Sequence, residues 1–264
     1  MDQPQPHSPG LALITGGSSG IGLALARCFA RDGHPLTIVA RDQARLAAAA
    51  AELREAGAPE VHTWSLDLAR AHAGTDLHAR AAALPLPVEH LVLNAGTGAW
   101  GDFVGQTDLA LELESIQVNV ASVVEAAKRF LPDMVGRRRG RVLITSSIVA
   151  LGPSPRLAVY SGTKAFLYTF AEAVREEIAD SGVTITALMP DLTDTRFFER
   201  AHVDPNSLTA REPKADPATV ARAGYEAMMK GRDHVIAPAI PGRLKTAAAT
   251  LLPVRLVTKL ARAD

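Results

Sequence analysis

Tyr160 and Lys164 stand at positions i and i+4, so on a helix they share one face. A free phenol has a pKa of ~10, too high for ready proton exchange at neutral pH. A neighbouring ammonium favours the phenolate and lowers that pKa toward the range a general acid/base needs. Taken alone, a Tyr and a Lys at this spacing are more often a surface pair. Ser147 changes the weighting, because it follows a short apolar run at 141–145. In open α/β sheets, ligands bind outside the carboxyl ends of the strands. A hydroxyl placed there can hydrogen-bond a carbonyl oxygen while Tyr160 protonates it; the plain alternative is a serine that caps a turn.

A second constellation is Thr15-Gly16-Gly17-Ser18-Ser19-Gly20-Ile21-Gly22, set between an apolar run and a helical pattern. Glycines there let the backbone turn tightly and approach a pyrophosphate. The following helix offers unpaired N–H groups and the positive end of its dipole. The plain alternative is a glycine-rich structural turn. A P-loop is excluded, since no Gly-Lys-Ser/Thr follows. Ala40-Arg41 ends the second apolar run, where an acid would accept hydrogen bonds from an adenosine ribose. A guanidinium pairs instead with a 2′-phosphate, which favours NADP(H) over NAD(H); Ser18 and Ser19 can add hydroxyl contacts. An ordinary surface arginine is the competing reading.

These groups need a scaffold, and the rhythm of the chain supplies one. Short apolar runs at 11–15, 36–40, 61–65, 90–93, 141–145, 183–189 and 234–237 read as strands. Helical patterns cover 21–30, 42–54, 72–83, 108–135, 158–180 and 217–230. Asp42 is a candidate N-cap, and the less apolar run 61–65 reads as nearer a sheet edge. Strict alternation predicts an α/β fold: one doubly wound parallel sheet of about seven strands with helices on both faces. The organisation is a loose tail at 1–9, a cofactor-binding and catalytic domain at 10–240 and an amphipathic extension at 241–264. Residues 202–217 read as a long loop of the kind that forms lids.

Composition bounds the function. The chain has 264 residues, 47% hydrophobic and 21% charged, enough apolar mass for a sizeable core. Lys plus Arg and Asp plus Glu both number 28, so there is no overall pull toward nucleic acid. One cysteine, Cys28, excludes an intrachain disulfide and reads as a core residue. No apolar run reaches the ~18–20 residues of a spanning helix, and residues 1–9 lack the pattern of a secretory signal. The expected location is cytoplasmic.

In this order the motifs resemble the short-chain dehydrogenase/reductase family, over residues 11 to about 240. The pieces are the glycine loop at 15–22, Asp67-Leu68, Asn94-Ala95-Gly96, Asn119, Ser147, Tyr160-x-x-x-Lys164 and a Pro-containing segment after the sixth strand. The resemblance implies a Rossmann-type fold with Tyr160 as catalytic acid/base. Lys164 would hold the nicotinamide ribose and depress the tyrosine pKa, and Ser147 would orient the substrate oxygen. Asn119 would support a proton relay to Lys164. Asp67 and Leu68 would contact adenine, Asn94 to Gly96 would line its ribose, and Thr193 and Thr195 would contact the carboxamide. Gly16, Ser18, Ser19, Gly20, Ile21, Gly22 and Arg41 complete the expected cofactor set. The implied reaction is reversible hydride transfer between NADP(H) and a carbonyl or alcohol carbon of a small substrate, with no metal. The rival is a catalytically silent NADP(H)-binding sensor or scaffold.

Two residues depart from the family pattern. Leu93 replaces the first Asn of Asn-Asn-Ala-Gly, which suits a buried strand. Asp191 follows Pro190 where the family typically has Gly. Its side chain either points away from the site or binds a polar or cationic substrate group. Trp100, Phe103, Phe197 and Phe198 are expected to flank the substrate cleft, with core packing the alternative. The basic run 137–141 reads as a solvated turn. The tail at 243–264 packs on its own or a partner subunit, or rests on an anionic membrane. Family members commonly pair through the helices at 108–135 and 158–180, so a homodimer or homotetramer is expected.

Overall fold

The apolar runs form seven strands: β1 Leu11–Thr15, β2 Leu36–Ala40, β3 Val61–Ser65, β4 Val88–Leu93, β5 Gly140–Thr145, β6 Val183–Pro190 and β7 His234–Ala237. The structure is a computed structural model that describes residues 10–205 and 207–237. The tail at 1–9 and the extension at 241–264 lie outside the described residues. Every strand pairing is parallel, and the sheet order is β3-β2-β1-β4-β5-β6-β7. The expected parallel sheet is therefore present. β3 lies at one edge, as its alternating burial requires.

Nine helices are described: α1 Gly20–Arg31, α2 Gln43–Glu55, α3 Ala73–Ala81, α4 Leu109–Ile116, α5 Ser122–Gly136, α6 Ala158–Glu177, α7 Phe197–Arg200, α8 Leu208–Arg211 and α9 Pro217–Met229. Successive strand side chains point to opposite faces, and this builds two cores. Leu13, Leu91, Val142 and Ile185 pack with Leu77, Phe130, Met134 and Leu167 of α3, α5 and α6. Ile14, Val92, Leu143 and Leu188 pack with Leu25, Phe29, Leu46 and Val220 of α1, α2 and α9. Each fully buried large apolar side chain contributes roughly 1.5–3 kcal/mol before the entropy cost of ordering it. Leu93 is buried in the sheet as expected. Cys28 is only partly buried, at the margin of the core.

The strand order reverses between β1 and β4, and a crevice opens there beyond the strand ends. Asp42 caps α2 by accepting from Arg45 N at 3.0 Å. The single long helix expected at 108–135 is instead interrupted. A π-helical turn at Gln117–Ala121 separates α4 from α5, with the N–H of Ser122 bonded to the Gln117 carbonyl. Such a turn inserts one residue into an α-helix, and apolar periodicity does not register it. The expected loop at 202–217 contains α8 and is tied down by a bridge between Thr193 and Ala215.

Close approach of α3 to α5 rests on Gly74, where a Cβ would lie 2.5 Å from the Ser122 carbonyl oxygen and 2.6 Å from Ala126 N. Gly74→Val should lower stability by about 1–3 kcal/mol through overpacking, read as a shift of the urea midpoint. Gly105→Ala has nothing within 4 Å of the new Cβ and should stay within about 0.5 kcal/mol of wild type.

Candidate active site

The crevice at the strand reversal is a cavity of about 1190 Å³. Thr15, at the end of β1, precedes the lining residue Gly16. The Thr15 hydroxyl donates to the Val92 carbonyl at 3.2 Å and accepts from the N–H groups of Asn94 at 2.9 Å and Ala95 at 3.1 Å. The Asn94 amide donates to the Thr15 carbonyl at 3.1 Å, and its Oδ1 accepts from Thr145 Oγ1 at 3.2 Å. One hydroxyl and one amide thus lock together the ends of β1, β4 and β5.

The glycine loop turns away above this lock. Gly16 has φ +69, in the left-handed region. At Gly22 a Cβ would stand 2.2 Å from the Gly16 carbonyl oxygen, so the loop closes only with glycine. Ser19 is the N-cap of α1 and makes no side-chain capping bond. The first-turn N–H groups therefore remain available to an anion. Gly16, Ser18, Ser19, Gly20, Ile21 and Gly22 all line the cavity, as do Arg41, Asp67 and Leu68 farther along. The Arg41 guanidinium pairs with Glu114 Oε1 of α4 at 3.2 Å. Asp67 Oδ1 accepts from Ala69 N at 3.0 Å.

The opposite wall comes from β5, α6 and the segment after β6. Lys164 is 3% exposed; its Nζ donates to the Thr145 carbonyl at 2.8 Å and lies 5.6 Å from the centre of the Tyr160 ring. Ser146 Oγ donates to the Lys164 carbonyl at 2.7 Å, which pins α6 to the end of β5. The Ser147 hydroxyl donates to the Pro190 carbonyl at 3.4 Å, accepts from Val149 N at 3.4 Å, and stands close enough to the Tyr160 phenol to favour its anion. Asn119, fully buried in the π-turn, accepts from Thr97 N at 2.9 Å. Its amide donates to the Thr97 carbonyl at 2.8 Å and to Thr163 Oγ1 at 3.0 Å. A Cβ at Gly96 would stand 3.2 Å from Lys164 Nζ and 3.3 Å from Asn119 Oδ1, so these groups share one small space.

Burial reverses one electrostatic expectation. The Tyr160 phenol is pushed up to about 12 by burial, with the neighbouring Ser147 hydroxyl pulling weakly the other way. The Lys164 ammonium is pushed down to about 8 by burial. In this structure the Lys164 ammonium donates to the Thr145 carbonyl, and at the phenol desolvation outweighs the neighbouring Ser147 hydroxyl.

The sequence-predicted residues other than Asn119 thus line one cavity, including Ala95, Gly96, Thr193 and Thr195, while Asn119 lies fully buried behind it. Asp191 also lines it, with Oδ1 accepting from Leu192 N at 2.7 Å, so that oxygen serves its own turn. Trp100, Phe197 and Phe198 line the cavity, and the Phe197 ring centre lies 4.8 Å from that of Tyr160. Phe103 does not join them; it is 60% exposed. Sequence reasoning placed Thr15 in the glycine loop without a role of its own and gave none to Thr97, Thr145, Ser146 and Thr163. Thr15 and Thr145 each sit at a strand end immediately before or near a singled-out motif, which was the available signal.

A family model described as short chain dehydrogenase matches residues 10–205. A very-long-chain 3-oxoacyl-CoA reductase of Laccaria bicolor is 33% identical over 178 residues, covering 67% of this chain and 53% of that protein. The chain thus spans about half the length of several curated relatives it matches. Among solved structures, a short-chain dehydrogenase from Sphingobium yanoikuyae in complex with NADPH superposes with a TM-score of 0.81. It is 29% identical, over 92% of this chain and 93% of that one. A short-chain dehydrogenase/reductase from Burkholderia phymatum in complex with NAD gives a TM-score of 0.78 at 25% identity, over 91% and 92%.

The buried lysine makes stability depend on pH with a defined sign. Folded Lys164 loses its proton near pH 8, whereas the unfolded side chain holds it to about 10.5. Between those values the unfolded state binds more protons, so the lysine's contribution to stability rises with pH. In thermal unfolding of the protein without cofactor, wild type should gain on Lys164→Met as pH rises from about 8 to about 10.5. A constant gap across that window would refute the assignment.

Proposed function

The chain belongs to the short-chain dehydrogenase family, and on that premise we propose that it is an NADP(H)-dependent oxidoreductase. It moves a hydride between the nicotinamide and the carbonyl or alcohol carbon of a small, partly apolar substrate. One observation carries the reading: Tyr160, with Ser147 beside it and Lys164 behind its ring, lines the same cavity as an uncapped glycine-rich helix N-terminus.

The residues present fit a nicotinamide dinucleotide. The missing Cβ at Gly22 lets the loop fold tightly onto Gly16 beside the cavity, and the uncapped α1 amides that border it suit a pyrophosphate. Gly16 to Gly22 would hold the phosphates, while Asp67, Leu68 and Asn94 to Gly96 would line the adenosine. Thr193 and Thr195 would hold the carboxamide, and Lys164 with Tyr160 the nicotinamide ribose. Arg41 supports NADP(H), because a guanidinium at the end of β2 attracts a 2′-phosphate and an acid there would repel it. When bound, the reduced nicotinamide supplies the hydride.

This chain's own residues do the remaining work. Ser147 orients the substrate oxygen, and Tyr160 donates its proton to that oxygen as the carbonyl carbon is reduced. A phenol held above its usual range is protonated at neutral pH, the state in which it can donate. Asn119 supports the relay to Lys164, beside which its Oδ1 is placed across the Gly96 gap. Trp100, Phe197, Phe198, Ile148 and Val203 form the apolar wall for the substrate. The proposed assembly is a homodimer or homotetramer paired through α4, α5 and α6. Leu109, Leu113, Ile116 and Phe166 support it, each exposed on those helices.

The test is NADPH oxidation against a panel of aldehydes, ketones and 3-oxoacyl thioesters. Wild type should turn over at least one class, and Tyr160→Phe should lose about 100-fold or more in kcat. Equal background rates for both proteins on every compound would favour the silent sensor instead.

A further inference from the structure

Across the crevice from Arg41 stands α7, and the chain that enters it packs on the glycine loop. A Cβ at Gly20 would lie 3.1 Å from Thr195 Cγ2. The next residue, Arg196, pairs with Glu199 at 3.1 Å and lies within the field of Asp42, the neighbour of Arg41. Arg200 ends α7, and its Nε donates to the Arg196 carbonyl at 3.4 Å. Its guanidinium is held below the usual arginine range, first by burial and then by the positive charges of Arg41 and Arg196. Arg41, Arg196 and Arg200 all line the one cavity. Arg41 and Arg196 each have a carboxylate partner; among the described residues no carboxylate stands within 4.0 Å of the Arg200 guanidinium. Three guanidinium groups gathered on two sides of a crevice repel one another, and a dianionic phosphate relieves that repulsion with charge-assisted hydrogen bonds.

We propose that Arg196 and Arg200, at the two ends of α7 (Arg196 just before it, Arg200 its last residue), complete with Arg41 a three-arginine site for the phosphate on the cofactor's adenosine ribose. The inference rests on the NADP(H) reading above and extends it to a segment beyond the β2 end. Because Phe197 follows Arg196 and packs its ring, tilted, against that of Tyr160, the same contact holds the apolar substrate wall in place. Recognition of the phosphate and assembly of the substrate pocket are then one event.

Isothermal titration with cofactor fragments tests this without turnover. The fragments are 2′,5′-ADP, 3′,5′-ADP and 5′-AMP. Wild type should bind 2′,5′-ADP more tightly than 5′-AMP. Arg200→Gln should weaken 2′,5′-ADP about tenfold and leave 5′-AMP unchanged, with Arg200→Lys recovering part of the loss. In wild type, 2′,5′-ADP should also slow tryptic cleavage after Arg196 and Arg200, where 5′-AMP does not. Wild-type affinity for 2′,5′-ADP in Arg200→Gln would overturn the proposal, even if Arg41→Gln loses it. A loss confined to 3′,5′-ADP would overturn it too, by placing the site on a substrate's nucleotide. No preference of wild type for 2′,5′-ADP would remove the NADP(H) reading together with the clamp. The oxidoreductase reading itself stands or falls separately, on Tyr160→Phe.

Discussion

A lysine ammonium kept at 3% exposure is the constraint around which the crevice is arranged. Removing a charge from water costs several kcal/mol unless it is hydrogen-bonded, and here the Thr145 carbonyl accepts from it at 2.8 Å. That bond needs the end of β5 and the second turn of α6 in register. Ser146 enforces the register by donating to the Lys164 carbonyl, and Thr163 extends it by donating to the Tyr160 carbonyl at 2.7 Å and accepting from Asn119. Asn119 in turn holds Thr97 after β4. A chain of satisfied polar groups therefore runs from β5 through α6 to the π-turn and the β4 loop. An α-helix without the extra residue at 117–121 would rotate Asn119 out of this frame, which gives the π-turn a structural reason.

Partial burial shapes the phenol as well. Phe197 covers one face of the Tyr160 ring, and burial drives the hydroxyl toward its neutral form. Ser147 donates some stabilisation to the anion but does not outweigh the loss of water. In the proposed reaction a neutral phenol has a proton to give, so the apolar wall does two things with one set of side chains. It receives an apolar substrate, and it keeps the donor loaded. The lysine at 5.6 Å from the ring acts on this balance only as far as its own charge survives burial.

What the sequence made legible was local. Tyr160 and Lys164 share a face because α6 runs unbroken through both, and the glycine loop lies between β1 and α1 as its spacing requires. Parallel strands follow from the alternation of apolar runs and helices, and the sheet has the predicted number. The rest depends on contacts between residues far apart in the chain. Thr15 reaches Asn94, Arg41 reaches Glu114, and Phe197 reaches Tyr160; no periodicity carries such pairs. The phenol's upward shift was misjudged for the same reason. A neighbouring cation is visible four residues away in the sequence, whereas desolvation is the sum of everything packed around the ring. Phe103 shows the reverse error, since an aromatic near the cleft in sequence points into solvent.

The Arg41–Glu114 pair decides how firmly the β2 end can select a cofactor. Its side chains are 55% and 31% exposed, and an ion pair so open to water contributes only about 0–1 kcal/mol. A carboxylate there does not cancel the guanidinium; it holds a flexible side chain over the crevice at small cost. A ribose phosphate carries more charge and more acceptor oxygens than one carboxylate, and a guanidinium fork can bind it through two parallel bonds. In the proposed NADP(H) reading, a ribose phosphate would therefore take the place of Glu114 on Arg41. An unphosphorylated ribose has only neutral hydroxyls to set against the same pair. Discrimination at this position therefore comes from what the ligand brings to a weakly held arginine, and its strength should fall as salt screens the exposed charges.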